Sequence, residues 1–65
     1  MILILNGQPY DTAADTVAQL LEEKGIAPDG TAVAVAEHVI PRSRWDTAPL
    51  TEGATVEILT AVQGG

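Results

Sequence analysis

The two most apolar stretches of the chain lie at its opposite ends, residues 1–5 and 55–62, with one short helical pattern between them. Near-continuous runs of β-branched and leucine residues read as strands buried within a sheet. Both ends of the chain therefore claim the centre of the same sheet. Everything between them has to be folded around the outside.

The punctuation of the chain says how. Asn6-Gly7 follows the first run and supplies the two positive-φ residues of a type I′ hairpin turn. The returning strand, residues 8–12, carries Pro9, which cannot donate to a ladder and so predicts a sheet edge. Thr16 and Gln19 read as a capping box, with Asp15 adding negative charge near the positive end of the helix dipole. Val17, Leu20 and Leu21 fall on one helix face, leaving Glu22, Glu23 and Lys24 toward water. Gly25 suits the left-handed position past the last turn, and Ile26 the apolar contact after it. A helix this short does not persist alone, so it must rest on the sheet.

After Pro28-Asp29-Gly30, residues 31–36 alternate valine and alanine with period two. Val33 and Val35 are predicted to face the helix, and Ala32, Ala34 and Ala36 the other side. Glu37-His38 reads as a turn before a short strand at Val39-Ile40, which Pro41 ends. Residues 42–49 look irregular, with one helical turn, and Glu52-Gly53 turns the chain into its last strand. The order is β-β-α-β-β-β. A right-handed crossover through the helix then sets the last strand parallel to the first. The fold class is α+β, a β-grasp: a mixed five-stranded sheet of spatial order 2-1-5-3-4 packed on one main helix. Residues 1–62 form this domain. Residues 63–65 have nothing to pack and are expected to be a flexible tail.

Composition removes most function classes. A chain of 65 residues is one small domain, burying only about 60% of the surface its unfolded form exposes. Without cysteine there is no disulfide, thiolate nucleophile, zinc–thiolate site or iron–sulfur cluster. The formal charge is −6, and Lys24, Arg42 and Arg44 are the only basic residues, too few to track a run of phosphates, so no nucleic acid is expected as a partner. The acidity serves solubility, or steers the protein toward a basic partner surface. No apolar run approaches the roughly 20 residues of a membrane span, and the apolar start is too short for a signal segment. A soluble, cytoplasmic protein that does not engage a membrane is expected.

Few side chains could carry chemistry. His38 has neither a cysteine nor a second histidine to build a triad or metal site, and reads as solvated. Asp11 and Asp15 precede the helix and are explained by capping and the dipole rather than as a catalytic pair. Arg42 and Arg44 ahead of Trp45 are read either as structural, with an arginine bonding loop carbonyls and the indole covering a core edge, or as partner contacts. Leu59 should lie on the sheet face away from the helix, beside Ala34. With Val62, these two are the candidate partner-binding residues. No metal or bound cofactor is expected.

Several pieces carry a family resemblance: Ile4-Leu5-Asn6-Gly7, Thr16-Val17-Ala18-Gln19-Leu20-Leu21, Val39-Ile40-Pro41-Arg42-Ser43-Arg44-Trp45, Leu50-Thr51-Glu52-Gly53, Val56-Glu57-Ile58 and the terminal Gly64-Gly65. In this order and spacing the whole chain resembles the ubiquitin-like sulfur carrier family of thiamine biosynthesis. The resemblance implies a non-catalytic carrier whose Gly65 carboxylate is adenylated by an ATP-using, E1-like adenylyltransferase. A persulfide sulfur donor would then convert it to a thiocarboxylate, and thiazole synthase would take the sulfur. Gly64, lacking a Cβ, would let the tail thread a narrow channel, and Gly65 would have to be the true end. A carrier for another acceptor (molybdopterin, cysteine or tRNA), a ubiquitin-like protein modifier and a plain interaction module are the alternatives.

Overall fold

The computed structural model describes residues 1–61. The expected Gly-Gly tail and the domain's last residue, Val62, lie outside the described residues. The elements are β1 (Ile2–Leu5), β2 (Gln8–Asp11), α1 (Val17–Lys24), β3 (Thr31–Val35), β4 (His38–Ile40), a 3₁₀ turn (Arg42–Arg44) and β5 (Thr55–Thr60). They form one five-stranded sheet in the order β2-β1-β5-β3-β4. β1 and β5 run parallel, with Ile4 opposite Thr55, and every other pairing is antiparallel. The β-grasp arrangement expected from the two apolar ends is the one observed.

Local signals behave as their chemistry requires. Asn6 and Gly7 both take positive φ, 49° and 81°, and bring β2 back along β1. Pro9 sits on the edge strand, where its missing N–H costs no ladder bond. Thr16 caps α1, its hydroxyl accepting from the Gln19 N–H at 3.2 Å. Gln19 reaches back one residue further than a standard capping box and accepts from the Asp15 N–H at 2.8 Å. Gly25 closes the helix at φ 70°, with the Gly25 N–H on the Glu22 carbonyl and the Ile26 N–H on the Leu21 carbonyl.

Three expectations need correction, and a fourth, the exposed Glu23, gains a structural role. β1 is not buried on both faces. Leu3 and Leu5 are buried under α1, while Ile2 is exposed and Ile4 half-buried, because a single helix covers only one side of the sheet. The β3–β4 turn is Ala36-Glu37, not Glu37-His38. Val35 pairs with His38, and the two turn residues take φ 51° and 70° without a glycine between them. Glu23 is not simply solvated. Its carboxylate accepts from the Tyr10 hydroxyl at 2.7 Å, the Thr12 hydroxyl at 2.7 Å and the Ala13 N–H at 3.3 Å, tying α1 to β2 and the loop after it. Finally, Asp11 takes no part in the helix start. It ends β2, 3.6 Å from the Met1 ammonium.

The core lies between α1 and the covered sheet face. Leu3, Val17, Leu20, Val33 and Val56 are fully buried there, with Leu21, Ile58, Leu50 and Trp45 around them. Burying a leucine or valine side chain contributes about 1.5–3 kcal/mol, so this small aliphatic set supplies most of the driving force. Trp45 closes the end of the core. Its indole N–H donates to the Ile40 carbonyl at 2.9 Å, and its own carbonyl accepts from the Ala18 N–H at 3.0 Å.

Candidate functional site

β5 is the strand that leads to Gly64 and Gly65, and its surroundings are asymmetric. On one side β3 accompanies it throughout, from Val35 opposite Val56 to Thr31 opposite Thr60. The Ala61 N–H then donates to the Gly30 carbonyl at 2.7 Å, fixing the strand's exit against the Pro28-Asp29-Gly30 loop. On the other side β1 stops at the Asn6-Gly7 turn while β5 continues. The Asn6 side chain fills the first missing place. Its carbonyl oxygen accepts from the Ile58 N–H at 2.9 Å, and its amide donates to the Ile58 carbonyl at 3.3 Å. Among the described residues no strand flanks β5 on this side past Ile58. The strand therefore leaves the sheet from its centre but with one flank open.

Side-chain alternation sets what surrounds this exit. Val56 and Ile58 turn down to α1 and are buried; Glu57 and Leu59 turn to the uncovered face. Leu59 is 67% exposed, as its place in the strand predicts. Its partner across the ladder is Ala32, however, not Ala34, which faces Glu57 two pairs further along. The reading of Leu59 as immediately beside Ala34 is thus off by two residues of register, a quantity that no single sequence fixes in a two-strand pairing without a short turn. The same face carries two apolar residues that the sequence reading left out. Val39, opposite Ala34, is 75% exposed, and Ile2 on β1 is 41% exposed. The signal for them was the single helical pattern, which can cover only one face of the sheet and leaves the other bare. Val62, Gly64 and Gly65 lie outside the described residues.

The remaining candidates sort into structural places. His38 is exposed at the start of β4, and no group of three potential metal-ligating side chains exists among the described residues. Arg42 donates to the Asp29 carboxylate at 2.8 Å, an exposed pair rather than the expected bond to a loop carbonyl. The Arg44 backbone carbonyl caps the following turn by accepting from the Thr47 and Ala48 N–H groups. Trp45 is buried at the core edge, as expected. Two groups are perturbed. Hydrogen bonds from Thr12 and Tyr10 hold the Glu23 carboxyl below its ordinary range, and donation to Glu23 raises the Tyr10 phenol. Both belong to the clasp between α1 and β2, far along the sheet from the β5 exit. No described side chain near that exit has the equipment of a nucleophile or an acid–base pair.

A central strand that leaves the sheet with one flank open is one half of a carrier's design, and similarity to known proteins supplies the other half. Residues 3–65 match the model of the ThiS family. A sulfur carrier protein ThiS from Thermus thermophilus is 34% identical over 61 residues, covering 94% of this chain and 95% of that one. The crystal structure of a thiamine biosynthesis protein (ThiS) from Geobacter metallireducens superposes with a TM-score of 0.82 at 29% identity, covering all of both chains. A solution structure of a thiamine biosynthesis protein from the same organism gives 0.82 at 30% identity, over all of this chain and 88% of that one. Matched by the family model over residues 3–65 and sharing the β-grasp fold of these relatives, this chain belongs to the ThiS family of sulfur carrier proteins.

Proposed function

We propose that the protein delivers sulfur for the thiazole of thiamine as a thiocarboxylate formed on Gly65. The observation that carries this reading is the exit of β5, which runs from the sheet centre toward Gly64-Gly65 with one flank open past Ile58. A carboxylate resists nucleophilic attack because the incoming electrons must add to an anion. Activation therefore comes first. A Gly65 carboxylate oxygen attacks the α-phosphorus of ATP on an E1-like adenylyltransferase, and pyrophosphate leaves. The terminal sulfur of a persulfide then attacks the acyl carbon and expels AMP. The resulting acyl disulfide is opened by a thiol, which takes up the other sulfur in a disulfide and leaves the thiocarboxylate. Thiazole synthase is the acceptor.

In this reading residues 1–62 are a handle and residues 63–65 the working arm. The chain contributes no catalytic residue and binds no cofactor of its own; ATP belongs to the partner. Gly64 and Gly65, without Cβ atoms, can enter a channel too narrow for other residues. Leu59, Ala34 and Val62 are the proposed grip; of these, Leu59 and Ala34 share the uncovered sheet face with Val39. Such an apolar patch with a polar surround is what transient partners bury. No helix of the described residues is long and apolar enough to cross a membrane; a cytoplasmic setting, where ATP is at hand, belongs to the same proposal.

The test is an intact-mass measurement after incubation with ATP, the adenylyltransferase and a sulfur donor. Exchange of one terminal oxygen for sulfur is expected, and a chain lacking Gly65 should fold normally yet gain nothing. Conjugates of higher mass would instead identify a protein modifier. Rescue of a deletion strain by thiazole, rather than by cysteine or a molybdopterin precursor, separates thiamine from the other acceptors.

A further inference from the structure

The helix side of the molecule carries a groove that the tail chemistry does not use. Leu21, Ile26 and the Trp45 indole line its apolar interior, Ala18 and Pro28 flank it, and Glu22, Arg42 and Asp46 stand at the rim, enclosing about 370 Å³. The groove is held open by its own anchors. Trp45 is tethered through its indole N–H to the Ile40 carbonyl, so the ring stays in the core edge instead of filling the space. Arg42 is engaged with Asp29 at 2.8 Å. Among the described residues, neither Glu22 nor Asp46 has a hydrogen-bond or ion-pair partner for its carboxylate. Two carboxylates therefore flank an apolar floor, on a chain whose formal charge is −6.

The chemistry of the lining selects the kind of occupant. Small-molecule sites bring several polar groups together inside an apolar cavity. Here the polar groups are confined to the rim, and among the described residues every buried side-chain polar atom already has a partner. An apolar floor with a charged rim is the anatomy of a protein interface. The groove also adjoins the working end of the molecule. Pro28 on its wall and Gly30, whose carbonyl receives the Ala61 N–H, belong to one loop. A partner seated in the groove thus reaches the root of the tail from the side opposite Leu59.

We propose that this groove docks a segment of the adenylating enzyme in which an apolar side chain is flanked by lysine or arginine. The apolar side chain rests on Leu21, Ile26 and Trp45, and the cation lies between Glu22 and Asp46. This rests on the carrier reading for the identity of the partner. Gripping the molecule on both sides of the β5 exit would fix the direction in which Gly65 enters the enzyme, an orientational constraint that one patch alone supplies poorly.

The experiment uses the full chain, labelled with ¹⁵N, and the purified adenylating enzyme without ATP. Shifts or broadening are expected at the Trp45 indole N–H and the Leu21, Glu22, Ile26 and Asp46 amides. Calorimetric titration should show affinity falling roughly tenfold for Glu22→Gln with Asp46→Asn, and further for Glu22→Lys with Asp46→Lys, with a weaker salt dependence in the neutral pair. Both pairs change exposed side chains, and circular dichroism checks that the fold is kept. Unchanged affinity in both pairs overturns the proposal, as does a dependence seen only with the sulfur acceptor. Contacts between Gly64 or Gly65 protons and the indole in the free chain, or groove shifts that grow with its concentration, would assign the groove to the tail or to a second copy and also overturn it. Because binding is read without ATP, this result stands apart from thiocarboxylate formation. Wild type that forms thiocarboxylate while the groove variants bind normally refutes the groove alone; wild type that forms none refutes the carrier reading.

Discussion

Asn6 stands where β1 ends and β5 continues, and its carboxamide extends the sheet by one more pair of hydrogen bonds at Ile58. An aspartate could accept from the Ile58 N–H but would set its second oxygen against the carbonyl. Asn6→Ala removes both bonds and places an alanine at φ 49°. Each hydrogen bond contributes about 0.5–1.5 kcal/mol, and the half-buried Ile58 groups left behind add to the loss. A destabilisation of about 2 kcal/mol is expected, read as a lower urea midpoint with unchanged slope. Glu23 offers a second test at this scale. Its carboxyl is held below the ordinary range by hydrogen bonds from Thr12 and Tyr10, so the clasp is fully present above the unfolded glutamate pKa. It is lost as pH falls through the lower, folded value. The stability difference between wild type and Glu23→Gln, measured by denaturation across acid pH, should therefore shrink on acidification. A difference that grew toward low pH would contradict the clasp.

Among the elements, the β3–β4 hairpin is the place where sequence and backbone disagree. Ala36 and Glu37 both occupy the left-handed region, which costs an L-residue with a Cβ roughly 1–2 kcal/mol relative to the right-handed form. Asn-Gly performs the same turn at Asn6-Gly7 without that cost. Replacing Ala36-Glu37 with Asn-Gly is expected to raise stability by about 1–2 kcal/mol, visible as a higher melting temperature, because the native angles are kept and the strain relieved. The same chemistry explains what could be read in advance. Asn6-Gly7, Thr16 with Gln19, Gly25 and Pro9 each carry their conformation in their covalent structure, and all four lie where expected. Ala36-Glu37 carries no such mark. The turn is imposed by the pairing of β3 with β4 and β5, and a turn imposed from outside leaves no trace in its own residues. The Leu59 register was missed for a related reason: β3 and β5 are joined by a long connection, so no short loop sets which alanine faces the leucine.

Among the described residues the sheet has two sides and there is one α-helix, and that count decides what the leucines do. Leu20 is fully buried under the sheet, and Leu59 is 67% exposed on the bare face. The helix face expected for Leu20 and the strand alternation expected for Leu59 already set their roles apart, and the layer arrangement bears both out. Leu20→Ala leaves a cavity in a core whose one buried aromatic ring, Trp45, sits at its edge, and such changes cost about 2–5 kcal/mol. For a domain of this size a core supplies only about 3–5 kcal/mol, so a large unfolded fraction is expected at 37 °C by circular dichroism. Leu59→Ser removes a side chain that water already surrounds. Its denaturation curve should match wild type within about 0.5 kcal/mol, while its turnover by the adenylating enzyme falls, through a higher KM rather than a lower kcat, because the lost contact is one of binding and not of chemistry. If Leu59→Ser unfolds the protein, the bare face is not bare. If it folds and is adenylated like wild type, Leu59 is no part of the grip.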